Sequence, residues 1–402
     1  MKATGIVVEY NPFHNGHLLH ATESRKITNN EILVAVMSGP FLQRGEPSLV
    51  SKWARAEMAL KAGVDIVIEL PYAFAAQHAT HFASGAVRLL DAIGCDSLCF
   101  GSEDGTVEPF IERMNWRKEN LSLLDEKIKF FNTEGLSYPA AVAKSYEVLN
   151  EQNPLSLDLS LPNNMLGLQY VEAINQYAQT IKPYTIKRQK SGYHESELHT
   201  EKISSATSIR KAIFESSLPE INDHLPETTY QILDQYYRQF GQYHHWENYW
   251  PLLQFKLLSH THEELRDIYE IEEGIEYRLT DAAKISTSFS DFMKSVKTKR
   301  YTWTRIQRML THLLTHTKKE EMIDLNPSYI RLLGMNKNGR AYLNKHKKDF
   351  SLPMISRVGR EDEEMLSLDL RANRIYAMGL QNPMARKKML LADFNHPPVM
   401  LD

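Results

Sequence analysis

Short apolar runs alternate with longer stretches of helical periodicity over the first 100 residues of the chain. The apolar runs predict strands at Thr4–Glu9, Ile32–Met37, Asp65–Leu70 and Ser97–Phe100. The stretches between them predict helices at Leu18–Thr28, Leu49–Ala62 and Phe82–Ala92. This βα alternation predicts a parallel sheet covered by helices, with ligands bound at the carboxyl ends of the strands.

The pattern changes along the rest of the chain. Helical stretches are predicted at 115–150, from Pro162 to Tyr170 and at Ser204–Phe214, with a short strand at Thr185–Arg188. Beyond Pro219, long amphipathic stretches dominate and β-rich runs disappear. We therefore predict an α/β catalytic domain at residues 1–215 and a mainly α-helical domain at residues 216–402.

Composition narrows the class of protein. The 402 residues are 42% hydrophobic and 24% charged with a formal net charge of −3, which neither favours nor excludes a nucleic-acid partner. Glu9, Asn11 and Pro12 interrupt the first apolar run, so no signal peptide is expected, and no apolar run reaches the roughly 18 residues of a membrane span. Two cysteines, Cys95 and Cys99, fit a reducing compartment. We expect a cytoplasmic protein without a membrane anchor.

The clearest chemical signal is the string His14-Asn15-Gly16-His17, which follows the first predicted strand. Gly16 lacks a Cβ where a ligand must approach the backbone, and the following helix presents the positive end of its dipole there. Two imidazoles at i and i+3 then flank a site that backbone N–H groups already make favourable for anions. The string predicts a triphosphate whose α-phosphate is attacked, with His14 and His17 as catalytic donors.

A second candidate phosphate site is the string Ile203-Ser204-Ser205-Ala206-Thr207-Ser208-Ile209-Arg210. Hydroxyls at the start of a helix either cap free N–H groups or bind phosphate oxygens, and an arginine one turn later can clamp phosphates with two hydrogen bonds. Alone, such serines are usually caps. Together with the two histidines, they predict a second clamp made by Ser205, Thr207 and Arg210.

Charge is unevenly distributed in the second half. Residues 291–360 contain 16 Lys or Arg against 5 Asp or Glu, so this segment carries about +11. Its predicted helix at Thr304–His316 has one apolar face and places two arginines and His312 together on another. A solvated face without a partner is one explanation, but the interleaved aromatic residues favour a nucleic-acid surface. The candidate contacts are Lys299, Arg300, Arg305 and Arg308.

Several strings together resemble one known family. The chain reads VVEYNPFHNGH from Val7, SGPFLQRGEPSLVSKWARAEMAL from Ser38, GVDIVIELPYAFA from Gly63, CFGSE from Cys99, LPNNMLG from Leu161, ISSATSIR from Ile203 and YTWTRIQRML from Tyr301. The H-x-G-H and S-x-T-x-I-R strings resemble the HIGH-type nucleotidyltransferase superfamily, and the whole set resembles the bacterial tRNA(Met) cytidine acetate ligase family. The resemblance is strong to about residue 215 and looser beyond it. It implies a Rossmann-like nucleotidyltransferase domain with a parallel sheet, followed by a helical tRNA-binding domain.

The resemblance also implies a reaction. Acetate would attack ATP to give acetyl-adenylate and pyrophosphate, and N4 of the wobble cytidine of elongator tRNA(Met) would then take the acetyl group and release AMP. His14, His17 and Arg210 would carry the first step. Mg²⁺ is expected on the phosphates of ATP rather than in a protein site, since the sequence offers no carboxylate cluster, and the oligomeric state stays open. The implied ATP contacts are Val7, Val8, Glu9, Tyr10, Asn11, Pro12, Phe13, His14, Asn15, Gly16, His17, Leu18, Leu19, His20, Gly101, Asn163 and Arg188.

Three other classes of protein could account for parts of this pattern. A metabolite nucleotidyltransferase, in which AMP stays on a small phosphorylated product, accounts for both phosphate motifs but not for the basic helical half. A non-catalytic RNA-binding protein accounts for the basic half alone. A class I aminoacyl-tRNA synthetase fits less well, because S-A-T-S-I-R stands where K-M-S-K-S is expected. Gln43 and Arg44 are further candidates for contacting the acid or RNA, whereas the pair His78 and His81 is more typical of a structural role.

Overall fold

The computed structural model describes residues 1–152, 157–188, 204–215 and 218–402. These residues contain an eight-stranded sheet. Its strands are β1 (Ala3–Val8), β2 (Ile32–Ser38), β3 (Ile66–Leu70), β4 (Ser97–Ser102), β5 (Lys182–Lys187), β6 (Ile330–Met335), β7 (Met354–Ile355) and β8 (Val399–Met400). The strands predicted from the apolar runs are therefore present, with their ends shifted by a few residues.

Helices connect the strands and make up most of the second half. The α-helices are α1 (Asn15–Thr28), α2 (Lys52–Lys61), α3 (Tyr72–Ala75), α4 (Ala79–Ala92), α5 (Glu108–Glu119), α6 (Leu121–Thr133), α7 (Tyr138–Gln152), α8 (Pro162–Tyr177), α9 (Ala206–Glu215), α10 (Glu227–Phe240), α11 (Trp250–Ser259), α12 (His262–Asp267), α13 (Ile275–Ile285), α14 (Phe289–Val296), α15 (Trp303–Thr315), α16 (Lys337–His346), α17 (Ser367–Met378), α18 (Pro383–Leu390) and α19 (Ala392–Asn395). Short 3₁₀ helices lie at Leu218–His224, Trp246–Tyr249, Lys319–Met322 and Arg360–Asp362. Within the described ranges, no helix is both long and apolar enough to cross a membrane.

Alternate residues of the central strands enter two hydrophobic cores, one on each face of the sheet. In β2, Leu33, Ala35 and Met37 pack into the core that also receives α2 and most helices of the second half. Ile32 and Val36 point to the other core, which α4 and α8 cover. Because successive side chains of a strand point to opposite faces, a strand buried on both sides reads as the continuous apolar run seen in the sequence.

The strand order is β5-β4-β1-β2-β3-β6-β7, with β8 paired to β6. All neighbours from β5 to β3 are parallel, as predicted. The chain runs from β1 to β3 in one direction and then places β4 and β5 on the opposite side of β1. This reversal opens a crevice beyond the carboxyl ends of β1 and β4, where ligands bind in open α/β sheets.

Strands from the second half extend the sheet, which the sequence pattern did not predict. Strand β6 pairs with β3 in the antiparallel direction, with Ile66 opposite Met335. Its run Ile-Arg-Leu-Leu-Gly-Met is apolar but lies between helices, and its pairing partner is more than 250 residues away. The second half is mainly helical, as expected, yet it shares a sheet and a core with the first. The functional boundary at residues 215 and 216 stays a prediction.

A buried group of charges joins the two halves. The Lys52 ammonium on α2 lies 2.7 Å from a carboxylate oxygen of Glu69 on β3 and 2.8 Å from one of Asp393 on α19. Arg331 on β6 completes the group, and all four side chains are at most 7% exposed. Burying a charge without a partner costs several kcal/mol, so each of these groups depends on the others.

This dependence predicts a large effect of Lys52→Met. The variant removes the cation closest to two buried carboxylates and should lower the free energy of unfolding by about 3–5 kcal/mol. Lys61→Met, on the last turn of the same helix, removes only a partly exposed pair with Glu57 and should cost less than about 1 kcal/mol. Urea denaturation of both variants measures the difference, and equal losses would contradict the account.

Candidate active site

A cavity of about 320 Å³ lies at the crevice beyond the carboxyl ends of β1, β4 and β5. The N-terminal ends of α1 and α9 both open onto it, so backbone N–H groups of two helices face one space. Such helix ends favour anions. The predicted ATP contacts that line the cavity are Val7, Val8, Glu9, Tyr10, Asn11, His14, Gly16, His17, Leu19, His20, Gly101, Asn163, Arg188, Ser205, Thr207 and Arg210.

His14 is the N-cap of α1 rather than its first residue. Its Nδ1 accepts a hydrogen bond from the Gly16 N–H at 3.0 Å. The His14 N–H lies 3.3 Å from Nδ1 of His17, and the two rings stack with centroids 3.8 Å apart. A neutral imidazole carries one ring proton, so the acceptor role of Nδ1 places the His14 proton on Nε2. His14 therefore presents a fixed N–H donor while it caps the helix.

The histidines of the cavity are neutral at pH 7. Burial lowers the pKa of His14 to about 3, helped by the positive charges of Arg188 and Arg210. Burial also lowers the pKa of His17 well below its usual range and that of His20 to about 4. The positive charge of the site thus comes from side chains such as Arg188 and Arg210, and the imidazoles act as uncharged hydrogen-bonding groups.

The second predicted motif forms the opposite wall. Ser205 caps α9, since its Oγ accepts a hydrogen bond from the Ser208 N–H at 3.1 Å. One turn into α9, the Arg210 guanidinium donates to the Asn11 carbonyl at 3.0 Å and to the Glu46 carboxylate at 2.8 Å. The arginine is therefore held at the loop between β1 and α1. Ile203, the first residue of the motif, lies outside the described residues.

Gly101 and Arg188 lie side by side at the ends of β4 and β5. A Cβ at Gly101 would come within 3.3 Å of the Arg188 Cγ, so the glycine leaves room for the arginine stem across the strand. Asn163 lines the same end of the cavity, and its Nδ2 donates to the Glu103 carboxylate at 2.6 Å. Asn163 therefore lines the cavity and also has a structural hydrogen-bond partner, as asparagines near helix ends often do. Gln189 and Lys190, which follow Arg188, lie outside the described residues.

Four residues of the predicted run from 7 to 20 do not line the cavity: Pro12, Phe13, Asn15 and Leu18. Phe13 is fully buried, with its ring 4.6 Å from that of Tyr10. Asn15 points away and donates to the Asp223 carbonyl at 2.9 Å, and Leu18 packs against the core. Successive side chains of a turn and a helix point in different directions. The residues of a continuous stretch such as 7–20 therefore cannot all contact one ligand.

The sequence also left part of the cavity unassigned. Gln43 and Arg44, the candidates for contacting the acid or RNA, lie on the cavity wall. The sequence does not predict the apolar residues of the cavity wall. Their spacing along the chain is the same as that of core residues, so the pattern does not distinguish the two. The lining residues without a prior assignment are Leu42, Glu46, Phe82, Phe100, Leu166, Tyr170, Ile186, Lys187 and Ala206.

The predicted basic helix is α15, and its charged residues are not all free. Arg308 is 14% exposed and lies 2.9 Å from the Glu270 carboxylate, while Arg300 is more exposed and lies 3.0 Å from that of Glu273. Arg305 lies 3.8 Å from the same Glu273 carboxylate, and Lys299 is exposed. These acidic partners lie about 30–40 residues upstream, so spacing within the helix could not predict them.

His312 does not belong to this charged surface, contrary to the expectation from the helical pattern. It is fully buried, and its Nδ1 lies 2.9 Å from the Tyr72 hydroxyl. Burial lowers its pKa to about 3, so it is neutral at pH 7. The pattern was misleading because Tyr72, at the start of the short helix α3, covers this face of α15.

Helix α15 packs directly against the loop that closes the cavity. The Thr311 hydroxyl donates to the Gly45 carbonyl at 2.6 Å, and a Cβ at Gly45 would collide with the backbone of Arg308. Gly45 also has a φ of +78°, which favours glycine. Because Arg44 and Glu46 on either side line the cavity, the basic helix and the anion site are neighbours.

Metal ligands are not clustered in this site. Across the part of the chain that the structure describes, no group of three His, Cys, Asp or Glu side chains is arranged to hold a metal ion. Of the two cavity carboxylates, Glu46 is bound to Arg210. Glu9 accepts a hydrogen bond from the Gln43 N–H at 2.7 Å through one oxygen.

The lowered histidine pKa values predict how stability depends on pH. An unfolded histidine has a pKa near 6.5, whereas folded His14 and His312 protonate only near pH 3. Below pH 6.5 the unfolded chain binds more protons, so each of these residues lowers the free energy of unfolding by up to about 1.4 kcal/mol per pH unit. We expect urea unfolding to become easier from about pH 6.5 to pH 4.5, and NMR to find no midpoint for His14 above about pH 5. A midpoint near 6.5 would contradict a neutral, buried His14.

Comparisons with known proteins agree with this geometry. The profile of the HIGH nucleotidyl transferase family matches residues 1–390. The chain is 47% identical over 402 residues to the tRNA(Met) cytidine acetate ligase of Lysinibacillus sphaericus, a match that covers 99% of this chain and 100% of the relative. Its identity to the Bacillus subtilis protein of the same name is 46% over 409 residues, covering 100% and 98%.

A solved structure is similar over the whole fold. The crystal structure of Thermotoga maritima TmcAL bound with alpha-thio ATP has a TM-score of 0.91 and 32% sequence identity, and the match covers 100% of both chains. The apo crystal form of the same protein matches with a TM-score of 0.92. The chain thus belongs to the HIGH nucleotidyl transferase family and, within it, to the family of the tRNA(Met) cytidine acetate ligases.

Proposed function

We propose that this chain uses ATP to activate acetate and then acetylates N4 of the wobble cytidine of elongator tRNA(Met). The observation that carries the proposal is the convergence of two helix N-termini, His14 and Arg210 on one cavity. The proposal is supported by whole-length similarity to relatives that bear the name of this activity. ATP and tRNA both occur in the cytoplasm, where we place the protein.

In the first step, a carboxylate oxygen of acetate attacks the α-phosphorus and pyrophosphate leaves. This displacement needs alignment of the reactants and stabilisation of the leaving charge rather than a protein nucleophile. We assign the phosphates to the N–H groups that begin α1 and α9, to the Nε2–H of His14 and to the guanidinium of Arg210. His17 stacks on His14 and fixes its orientation.

We place the nucleoside end of ATP beside Gly101, Asn163 and Arg188, with Phe100 and Ile186 as apolar neighbours in the cavity. Mg²⁺ would enter bound to the triphosphate, where it neutralises charge on the departing pyrophosphate. Phosphate oxygens and water would supply most of its ligands, since Mg²⁺ keeps several waters in such sites.

In the second step, the amino group of the cytidine attacks the acetyl carbonyl carbon and AMP leaves. The nucleobase must therefore reach the cavity while the rest of the tRNA stays outside. We propose that phosphates of the tRNA lie on Lys299, Arg300 and Arg305, beside the loop that lines the cavity. Arg308 belongs to the same surface but is bound to Glu270 and is the least accessible, so we expect its contribution to be the smallest.

A matched pair of variants tests the role of His14. In His14→Asn, the shorter amide oxygen still caps α1 but no N–H reaches the position of Nε2. We expect stability near that of the native protein and a loss of roughly 10²–10³ in acetate-dependent acetyl-adenylate formation, measured with ¹⁴C-acetate. His14→Ala should lose both the activity and about 1 kcal/mol of stability. Native activity in His14→Asn would show that His14 has no role in acetyl-adenylate formation.

The same assay separates the metabolite alternative. If pyrophosphate release requires phosphopantetheine or nicotinate mononucleotide rather than acetate, the chain transfers AMP to a small substrate and the proposal is wrong.

Charge reversal tests the tRNA surface. Lys299→Glu with Arg300→Glu should weaken tRNA binding about tenfold or more and reduce its salt dependence by about one unit of slope for each lost phosphate contact. Adenylate formation, which involves no tRNA, should persist. Lys118→Glu with Lys129→Glu makes the same charge change on α5 and α6, far along the chain from α15. Equal losses in both double variants would mean that only net charge matters.

A further inference from the structure

Glu9 places a carboxylate in a cavity that otherwise favours anions. It follows directly after β1 and lines the cavity with His14 and Arg210. Its Oε1 accepts the Gln43 N–H at 2.7 Å, while Oε2 has no hydrogen-bond partner among the described residues. A negative charge weakens binding of a triphosphate, so its presence calls for a role other than holding phosphate.

The backbone around Glu9 is rigid. Its carbonyl accepts a hydrogen bond from the fully buried Arg55 guanidinium at 2.7 Å. The same guanidinium bonds the carbonyls of Ser38 and Gly39 at the end of β2. The position of the carboxylate is therefore set by the ends of two central strands, as required for a group that acts in a reaction.

The carboxylate contacts the closing loop, and this loop packs on the basic helix. Glu9 holds Gln43 at one end of the closing loop, and Gly45 of this loop binds Thr311 of α15. An RNA bound on α15 would therefore lie next to the loop that Glu9 contacts. The other cavity carboxylate, Glu46, is occupied by Arg210.

We propose that Glu9 is the general base of acetyl transfer, an inference that rests on the proposed function. As the cytidine N4 attacks, the N–C bond forms to the acetyl carbon and the C–O bond to AMP breaks, with its electron pair leaving on AMP. Oε2 of Glu9 takes the proton that N4 loses and later releases it to water. Adenylate formation involves no such proton, so the role of Glu9 as a base belongs to the second step.

The surroundings suit this task. Burial raises the pKa of Glu9 above its ordinary value, and Glu46 acts in the same direction, while the Gln43 N–H, Arg44 and Arg210 oppose the shift. Tyr170 on α8 lines the same cavity as this carboxylate. A carboxylate of raised basicity is a better proton acceptor at neutral pH than an ordinary surface one.

Separate measurements of adenylate formation and of acetyl transfer distinguish a general base from a residue that binds ATP or Mg²⁺. In Glu9→Gln, the side-chain oxygen still accepts the Gln43 N–H, but no base remains. We expect single-turnover transfer from preformed acetyl-adenylate to tRNA to slow by roughly 10²–10⁴, a much larger factor than any change in the rate of acetyl-adenylate formation. Glu9→Asp keeps a carboxylate and should transfer faster than Glu9→Gln. Glu57→Gln removes a partly exposed carboxylate of α2 that does not line the cavity, and this variant should match the native protein in both assays.

Each remaining outcome overturns the assignment. If Glu9→Gln transfers the acetyl group at the native rate, Glu9 is not the general base. If both Glu9 variants lose adenylate formation as strongly as transfer, with unchanged thermal unfolding, Glu9 acts in ATP or Mg²⁺ binding and is not the base. If the native protein forms acetyl-adenylate but never acetylates tRNA, the proposed function fails first, and the base assignment falls with it.

Discussion

The geometry of the site depends on one buried charge, the guanidinium of Arg55. It donates to carbonyls at the end of β1, at the end of β2 and before α2, with distances of 2.7 Å to Glu9 and 3.0 Å to Ser38. Burial lowers its pKa to about 10, so it stays charged at neutral pH. A buried cation requires these carbonyl partners, and they in turn fix the turn before His14 and the loop that closes the cavity.

With the ends of β1 and β2 held by Arg55, backbone geometry determines where the site lies. The reversal of strand order at β1 and β4 opens a crevice, and two helices begin there, each capped by a side chain of its own motif. The cap of α1 is also the predicted catalytic donor, so the proposed function gives His14 a chemical role beside its structural one. The basic helix α15 then packs on the closing loop, which brings the surface that we propose for RNA phosphates beside the ATP site.

Much of this could be predicted because the signals are local. The βα alternation defined the parallel strands, and the strings around His14 and Arg210 identified two walls of one cavity from positions almost 200 residues apart. The errors came from long-range contacts. Strand β6 finds its antiparallel partner in β3, and Tyr72 buries His312, so neither outcome is visible within a short window. The apolar wall around Tyr170 was missed because a ligand-facing aromatic residue has the same spacing as a core one.

The central claim is that one chain both activates acetate and delivers it to a tRNA base. The most direct test incubates the purified protein with ATP, ¹⁴C-acetate and elongator tRNA(Met), and then separates the tRNA nucleosides by chromatography with mass detection. The account predicts label in N4-acetylcytidine at the wobble position, with one AMP and one pyrophosphate released for each acetyl group transferred. Consumption of ATP with AMP retained on a small product, and no label in the tRNA, would contradict it.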